Sequence, residues 1–323
     1  MSLLRAIGLS EIGVSPVAMG CWPIAGISSL CVNEADSIAT LRSALEHGVT
    51  HFDTAHCYGF DGESEMLLAK SLGARRREIT LATKCGILYD TQKNRVIDGR
   101  SGTLRRQVDI SLRRLQTDCV ELLYLHSPDP TVALAESAGT LADLRRQGKT
   151  IAVGLSNASL EQIKMFHGVC PLSAVQLKYN ILQREIETDV VPWCQENNVS
   201  VMAYWPLMKG LLAGRLHRNY VFDVKDSRTR YPIFQGKLWE ANQDFVDVIR
   251  AIATRLNRTV AQIVVNWTIH QPGITAALCG AKRPEQISEN AGAMSGRLDA
   301  EANTEIATAY TRWQTATAGN NLV

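Results

Sequence analysis

Thr50-His51-Phe52-Asp53, Ile79-Thr80-Leu81-Ala82-Thr83-Lys84 and Val120-Glu121-Leu122-Leu123-Tyr124-Leu125-His126 decide the fold. Each is a short, mostly apolar run with β-branched residues, the pattern of a strand buried on both faces of a parallel sheet. Each closes on a polar residue, Asp53, Lys84 or His126, with Tyr58 a few positions beyond the first. A polar residue at the C-terminal end of such a strand looks toward the loop side of an α/β sheet. In a β/α barrel that side holds the active site.

Outward from these runs, strand and helix patterns alternate. The quoted runs predict strands over 50–52, 79–83 and 119–125, and similar runs lie at 17–19, 150–154, 174–177, 199–203 and 275–278. Amphipathic stretches separate them. Residues 33–46, for example, carry an N-cap candidate, Asn33, and place Ile38, Leu41, Ala44 and Leu45 on one face, with Gly48 as a stop. Eight alternating units imply right-handed crossovers and a closed (β/α)8 TIM barrel, an α/β fold, as a single domain over 1–323. A β-hairpin over 3–7 and 12–14 precedes it. Two segments break the rhythm: 205–240, a long loop with Gly210, Gly214, Pro232 and Gly236, and 297–323, a helix over 300–313 followed by a small, polar tail. A loop of that length in a compact domain usually serves as a lid or ligand clamp.

Composition narrows the function classes. The chain has 323 residues, 46% of them hydrophobic, and a net charge of +2. Nothing steers it toward nucleic acid or a membrane surface. The clusters Arg75-Arg76-Arg77, Arg105-Arg106 and Arg113-Arg114 read as solvated helix faces. The eight cysteines include no C-x-x-C pair, and several lie in apolar runs and read as reduced core residues. No signal-peptide pattern opens the chain, so a cytoplasmic location is expected.

Asp53, Tyr58, Lys84 and His126 together supply proton-transfer chemistry. A free tyrosine has a pKa of about 10, too high for an efficient general acid near neutral pH. A lysine cation beside it favours phenolate and should lower that value. Asp53 can hold the lysine charged, and His126 can donate to a carbonyl oxygen. Taken singly, these residues would read as a structural ion pair, a half-exposed aromatic and a satisfied strand-end histidine; gathered on one side of a barrel they read as a site. A hydride donor fits such a site, yet no two glycines are separated by a single residue, so the Rossmann fingerprint is absent. Gly280-Ala281-Lys282-Arg283, between the last strand and a helix, offers backbone amides and two cations suited to phosphate, although loop-to-helix segments often have this composition.

These residues carry a resemblance. Phe52-Asp53-Thr54-Ala55-His56-Cys57-Tyr58-Gly59 followed by Ser64-Glu65 resembles the first signature of the aldo-keto reductase superfamily. Thr83-Lys84, Leu125-His126, Gly154-Leu155-Ser156-Asn157, Gln176, Tyr179-Asn180, Tyr204-Trp205-Pro206-Leu207, Gly210-Leu211-Leu212 and the stretch 280–290 follow in register. The likeness is closer to the bacterial and potassium-channel β-subunit-like branch than to aldose reductase.

The resemblance implies NADPH bound across the C-terminal mouth of the barrel and a small-molecule carbonyl substrate reduced to the alcohol. It assigns Tyr58 as general acid, Lys84 and Asp53 as its tuners and His126 as the group that orients the carbonyl. Ser156, Asn157 and Gln176 would hold the nicotinamide carboxamide, with Tyr204 stacked on the ring. Gly210, Leu212 and Arg215 fall at the pyrophosphate, Lys282 and Arg283 at the 2′-phosphate, and Gln286, Glu289 and Asn290 at adenine. Trp205, Pro206, Leu207 and Gly280 count among the cofactor-binding positions. Gly20 and Trp22 match positions where cofactor and substrate pocket meet. The family commonly has serine where this chain has Trp205, which leaves a phosphate contact to backbone amides and Arg215. The competing expectation is a nucleotide-binding regulatory subunit of the channel type, but that pattern has asparagine at the position of His126. An apolar, aromatic rim of Trp22, Tyr89, Trp205, Ile233 and Phe234 fits sugar, aromatic or small keto-aldehydes alike.

Overall fold

The computed structural model describes residues 4–27 and 31–319. The eight apolar runs form one closed barrel of parallel strands: β1 (Val17–Gly20), β2 (His51–Asp53), β3 (Thr80–Cys85), β4 (Val120–Leu125), β5 (Thr150–Ser156), β6 (Ala174–Lys178), β7 (Ser200–Tyr204) and β8 (Ile274–Gly280). Neighbours in sequence are neighbours in the barrel, and β8 closes on β1. The bounds differ by a residue or two from those read in the sequence, where a polar strand end breaks the apolar run but not the ladder.

The register levels the polar ends. Gly280 pairs with Gly20, Gly20 with Asp53, Asp53 with Ala82, and Lys84 with Tyr124. The barrel interior is filled by Ala82, Leu122, Tyr124, Ala152, Ala174 and Met202 among others. Tyr124 needs a space opposite it. A Cβ on Gly154 would lie 2.3 Å from the Tyr124 ring, so only glycine fits there. The bottom is plugged by the hairpin, whose strands Arg5–Ala6 and Gly13–Val14 bring Ile7, Ile12 and Val14 into the same interior cluster. Residues 1–3 of the opening segment lie outside the described residues.

Helices α1 (Glu34–Glu46), α2 (Glu63–Leu72), α3 (Ser101–Leu115), α4 (Leu134–Arg146), α5 (Leu160–Val169), α6 (Val190–Glu196), α7 (Gly236–Arg255), α8 (Val260–Ile269) and α9 (Pro284–Ala291) surround the barrel. Asn33 caps α1 as expected, its side chain accepting from the Asp36 amide at 2.8 Å. The C-terminal helix α10 (Ala300–Thr317) packs on α7, where Trp313 Nε1 donates to Asn242 Oδ1 at 2.8 Å. Residues 320–323 of the tail lie outside the described residues. Among the described residues no helix is long and apolar enough to cross a membrane.

Three sequence expectations need correction. The long segment ends at Gln235, because Gly236 opens α7, and it is folded into short 3-10 turns at Met208–Ala213, Ser227–Arg230 and Pro232–Phe234. Ile233 and Phe234 are buried core residues, not rim, since Phe234 packs on Phe222 and Trp239. The chain also forms an antiparallel hairpin, Ile87–Tyr89 with Arg95–Ile97, that the sequence reading did not anticipate.

Candidate active site

The site grows from the turn after β2. Strand pairing continues past Asp53: the Thr54 amide donates to Ala82 O at 2.9 Å and the His56 amide to Lys84 O at 3.0 Å. The chain then reverses, with the Tyr58 amide bonded to Ala55 O at 2.9 Å and the Ser64 amide to Tyr58 O at 3.1 Å. Gly59 makes this reversal. Its φ is +108°, and a Cβ there would lie 2.6 Å from the Glu63 amide nitrogen. The start of α2 locks the turn in place: Ser64 Oγ meets Thr54 Oγ1 at 2.8 Å, and Glu65 accepts from Thr83 Oγ1 at 2.7 Å. Arg114 reaches in from α3 to Glu65 at 3.3 Å and to the His56 carbonyl at 3.2 Å. The reading of Arg113-Arg114 as a solvated face is therefore wrong for Arg114, whose partner is a fully buried carboxylate.

Lys84 sits at the centre of the site. Its ammonium donates to Asp53 Oδ1 at 2.5 Å, to Thr54 O at 2.8 Å and to the Tyr58 hydroxyl at 3.3 Å, using all three protons. Asp53 is held from the other side by Gln176 Nε2 at 2.8 Å. Burial alone would depress Lys84, but Asp53 and Tyr58 outweigh it and hold the ammonium above its ordinary value. The expected lowering of the Tyr58 pKa is not what the structure gives. Burial pushes the phenol up to about 12, with Lys84 the largest opposing influence. The Tyr58 ring meets Trp22 edge-on at 5.1 Å and His126 at 5.8 Å, and the two neighbours leave the tyrosine only partly exposed.

His126 follows β4 directly. Its amide donates to Cys85 O at 2.8 Å, and its carbonyl accepts from Asn157 Nδ2 at 2.9 Å. Burial, with the Lys84 and Arg95 cations adding to it, holds the imidazole well below its ordinary value, so it is neutral. Its Nδ1 lies 3.5 Å from Cys57 Sγ. The Cys57 thiol is pushed up to about 11 by burial and so is also neutral. A thiol proton directed at Nδ1 leaves the ring proton on Nε2.

The remaining sequence candidates form one continuous rim. Asn157, in a left-handed conformation at φ +56°, bonds through Nδ2 to Ser156 Oγ at 3.1 Å and accepts from the Tyr204 hydroxyl at 2.7 Å. Ser156 Oγ donates to Gln176 O at 3.0 Å. Trp205 also has positive φ, +61°, and its ring stands edge-on to Tyr204 and Tyr231. The Lys209 ammonium lies 4.8 Å from the Trp205 ring centre and 4.4 Å from that of Tyr231. Pro206 is buried, and the Leu207 carbonyl accepts from the Gly210 amide at 2.8 Å. Leu212 is fully buried, so only its backbone is available to a ligand.

Across from this loop, Arg215 pairs with Glu289 of α9 at 2.9 Å, and Gln286 accepts from the Lys282 amide at 2.9 Å. Arg283 occupies the N-cap position of α9 without a side-chain cap, and Asn290 is buried on the same helix. Gly20 and Gly280 lie side by side at the open end of β1 and β8. Sequence reasoning missed Cys57, Lys209, Arg228 and Arg114. Arg228, forked onto Asp226 at 2.6 Å, reaches the Lys209 carbonyl at 3.5 Å. No local pattern marks it, because its partner loop is distant in sequence.

With this geometry in hand, comparison with known proteins is informative. The Aldo/keto reductase family model matches residues 16–311. Aldo-keto reductase YhdN of Bacillus subtilis (strain 168) is 35% identical over 307 residues, covering 94% of this chain and 92% of that protein. The glycerol dehydrogenase AKR11B4 from Gluconobacter oxydans superposes with a TM-score of 0.90 at 30% identity, covering 100% of this chain and 98% of that one. The aldo/keto reductase from Klebsiella pneumoniae in complex with NADP and acetate gives 0.71 at 26% identity, over 93% of each chain.

Proposed function

This chain belongs to the aldo/keto reductase family, and on that premise we propose that it is an NADPH-dependent oxidoreductase that reduces an aldehyde or ketone to the alcohol, with Tyr58 as the proton donor. One observation supports the reading above others: Lys84 lies 3.3 Å from the Tyr58 hydroxyl and 2.5 Å from Asp53, at the mouth of the barrel and beside a neutral histidine.

The residues present fit a phosphorylated dinucleotide. Lys209, Arg215, Arg228, Lys282 and Arg283 gather along one rim, where Arg215 already bridges the long loop to α9. The backbone at Met208, Lys209 and Gly210 is left-handed, and a Cβ on Gly210 would meet nothing but Arg228 Nη1, at 3.5 Å, so a ligand can approach the chain closely there. In this proposal the loop 205–235 lies over the cofactor and Ser156, Asn157 and Gln176 hold its carboxamide. Tyr204 stacks on the ring, Gly210, Leu212 and Arg215 take the pyrophosphate, Lys282 and Arg283 take the 2′-phosphate, and Gln286, Glu289 and Asn290 take the adenine end. The Klebsiella pneumoniae relative, solved with NADP, supports this choice. When bound, the cofactor supplies a hydride to the carbonyl carbon.

The chain's own residues handle the oxygen. Neutral His126 donates through Nε2 and orients the carbonyl, and Tyr58 gives up its hydroxyl proton as negative charge develops there. A phenol at about 12 suffices for that transfer, because an alkoxide is about as basic as hydroxide, the conjugate base of water with its pKa of about 15.7. Lys84 then faces the phenolate it has been favouring. Trp22 and Tyr89 shield the transfer from bulk water. The same route read backwards oxidises an alcohol, in keeping with the glycerol dehydrogenase named among the relatives. The regulatory-subunit reading is not favoured, since it does not use His126 or the fully engaged Lys84.

The test is Tyr58→Phe assayed by NADPH oxidation with an aldehyde panel. Cofactor binding should persist while turnover falls roughly 10²–10⁴-fold, the range for general acid catalysis. Near-parental turnover would remove Tyr58 from the role.

A further inference from the structure

The hairpin between β3 and α3 carries a cation toward the site. Its register sets Tyr89 opposite Arg95 and Ile87 opposite Ile97, and directly opposed residues share a face. That face is turned to the proton-donor turn: Ile87 is buried with Ala55 and Cys57, and Tyr58 and Tyr89 pack on the same cluster. The hairpin is fixed at both ends. Asp90 Oδ1 accepts from the Gln92 and Asn94 amides, each at 2.8 Å, and the Asp98 amide closes on Gly86 O at 2.9 Å. Phe60 braces it against the turn, 5.0 Å from the Tyr89 ring.

Arg95 is exposed, and among the described residues its side chain makes no hydrogen bond or ion pair. The acid nearest to it in sequence, Asp98, is taken by Arg100 at 2.6 Å. Its charge is nevertheless felt at Cys57, Tyr89 and His126, and at Tyr204 across the mouth. Set opposite Tyr89, on a hairpin that follows the C-terminal end of β3 and packs on the Tyr58 turn, Arg95 lies beside the aperture through which a carbonyl must pass. Beside His126 it disfavours the charged ring, and among the described residues no carboxylate pairs with it.

We propose that Arg95 is a specificity residue that selects carbonyl substrates bearing a carboxylate at the end remote from the reacting carbon, an inference that rests on the reductase reading. A single planar fork matches one carboxylate bidentately. A phosphate dianion would call for a second cation, and Lys93, the nearest in sequence, is engaged over the Phe60 ring at 4.5 Å.

The test compares kcat/KM for succinic semialdehyde with butanal, and for 4-carboxybenzaldehyde with benzaldehyde, in the parent, Arg95→Gln and Arg95→Lys. The parent should prefer each carboxylated member. Arg95→Gln should cut that ratio about ten- to hundredfold through KM, the range for losing one charge-assisted contact. Arg95→Lys should restore part of it. A ratio unaltered in Arg95→Gln, or a parent that prefers the neutral aldehydes, overturns the proposal. Faster turnover of glyceraldehyde 3-phosphate than of either carboxylated aldehyde overturns the choice of carboxylate. Should no aldehyde be reduced at all, the reductase reading fails, and calorimetry with benzoate still decides Arg95: binding to the parent but not to Arg95→Gln upholds it, and equal binding refutes it.

Discussion

Lys84→Met separates what the buried ammonium does for the fold from what it does for the chemistry. Methionine fills similar volume without charge. In the parent, Nζ satisfies Asp53 Oδ1, Thr54 O and the Tyr58 hydroxyl, with both charged side chains almost wholly enclosed. Removing it leaves a buried carboxylate with only Gln176 as a recorded side-chain partner. Breaking a buried pair from one side costs about 3–5 kcal/mol. With the unfolding entropy typical of a chain this long, that is a loss of about 4–7 °C in Tm. Asp53→Asn in the same molecule removes the uncompensated charge while an amide oxygen can keep the Gln176 bond. The double variant should therefore recover most of the loss, keeping a deficit of about 1–3 kcal/mol for the unsatisfied Thr54 carbonyl. Thermal and urea unfolding measure both. NADPH oxidation should stay abolished in single and double alike, because Tyr58 has lost the cation that accepts its phenolate. The reasoning is refuted if Lys84→Met unfolds within about 1 kcal/mol of the parent, or if the double variant is no more stable than the single.

Two further outcomes follow from the site. His126 is held well below its ordinary value, so an unfolded chain binds this proton first; the stability it contributes is present above about pH 6.5 and is lost as pH falls toward the folded-state value. Its ring resonances should stay neutral through that point on an NMR titration, and Cys57→Ala, which removes the contact at Nδ1, should shift the tautomer ratio and lower kcat more than it weakens NADPH binding. For the cofactor, Arg283→Ala should weaken NADPH about ten- to hundredfold and NADH much less, measured as Kd by fluorescence; equal weakening of both would place the 2′-phosphate elsewhere.

The strands and their polar ends were legible because a barrel strand is written locally: an apolar run, a terminator, then a helix pattern. Asp53, Lys84 and His126 come together from three such endings once the barrel closes, and the register does the rest. The proton affinity of Tyr58 was not legible. The sequence places a lysine near it, and a lysine alone would lower its pKa, but desolvation depends on Trp22 from the loop after β1 and His126 from β4. The basic pair Arg113-Arg114 shows the same limit. Only one of two adjacent arginines on α3 turns inward, and the reason is Glu65, on a different helix.

The long loop is where tertiary context governs most completely. Trp205 stands where the resemblance implies a serine, and its backbone takes a left-handed conformation uncommon for a bulky residue. It is held there by its carbonyl, which accepts from buried Asn180 at 3.3 Å, and by its ring between Tyr204 and Tyr231. Lys209 lies over both Trp205 and Tyr231. Replacing a small hydroxyl with an indole thus removes one hydrogen-bond donor from the rim but adds an aromatic wall that a lysine cation can lean on. That contact keeps the Lys209 ammonium beside the left-handed turn over Met208 to Gly210. The indole therefore helps to fix where the loop's Lys209 charge sits, through a cation–π cluster that no motif spells out.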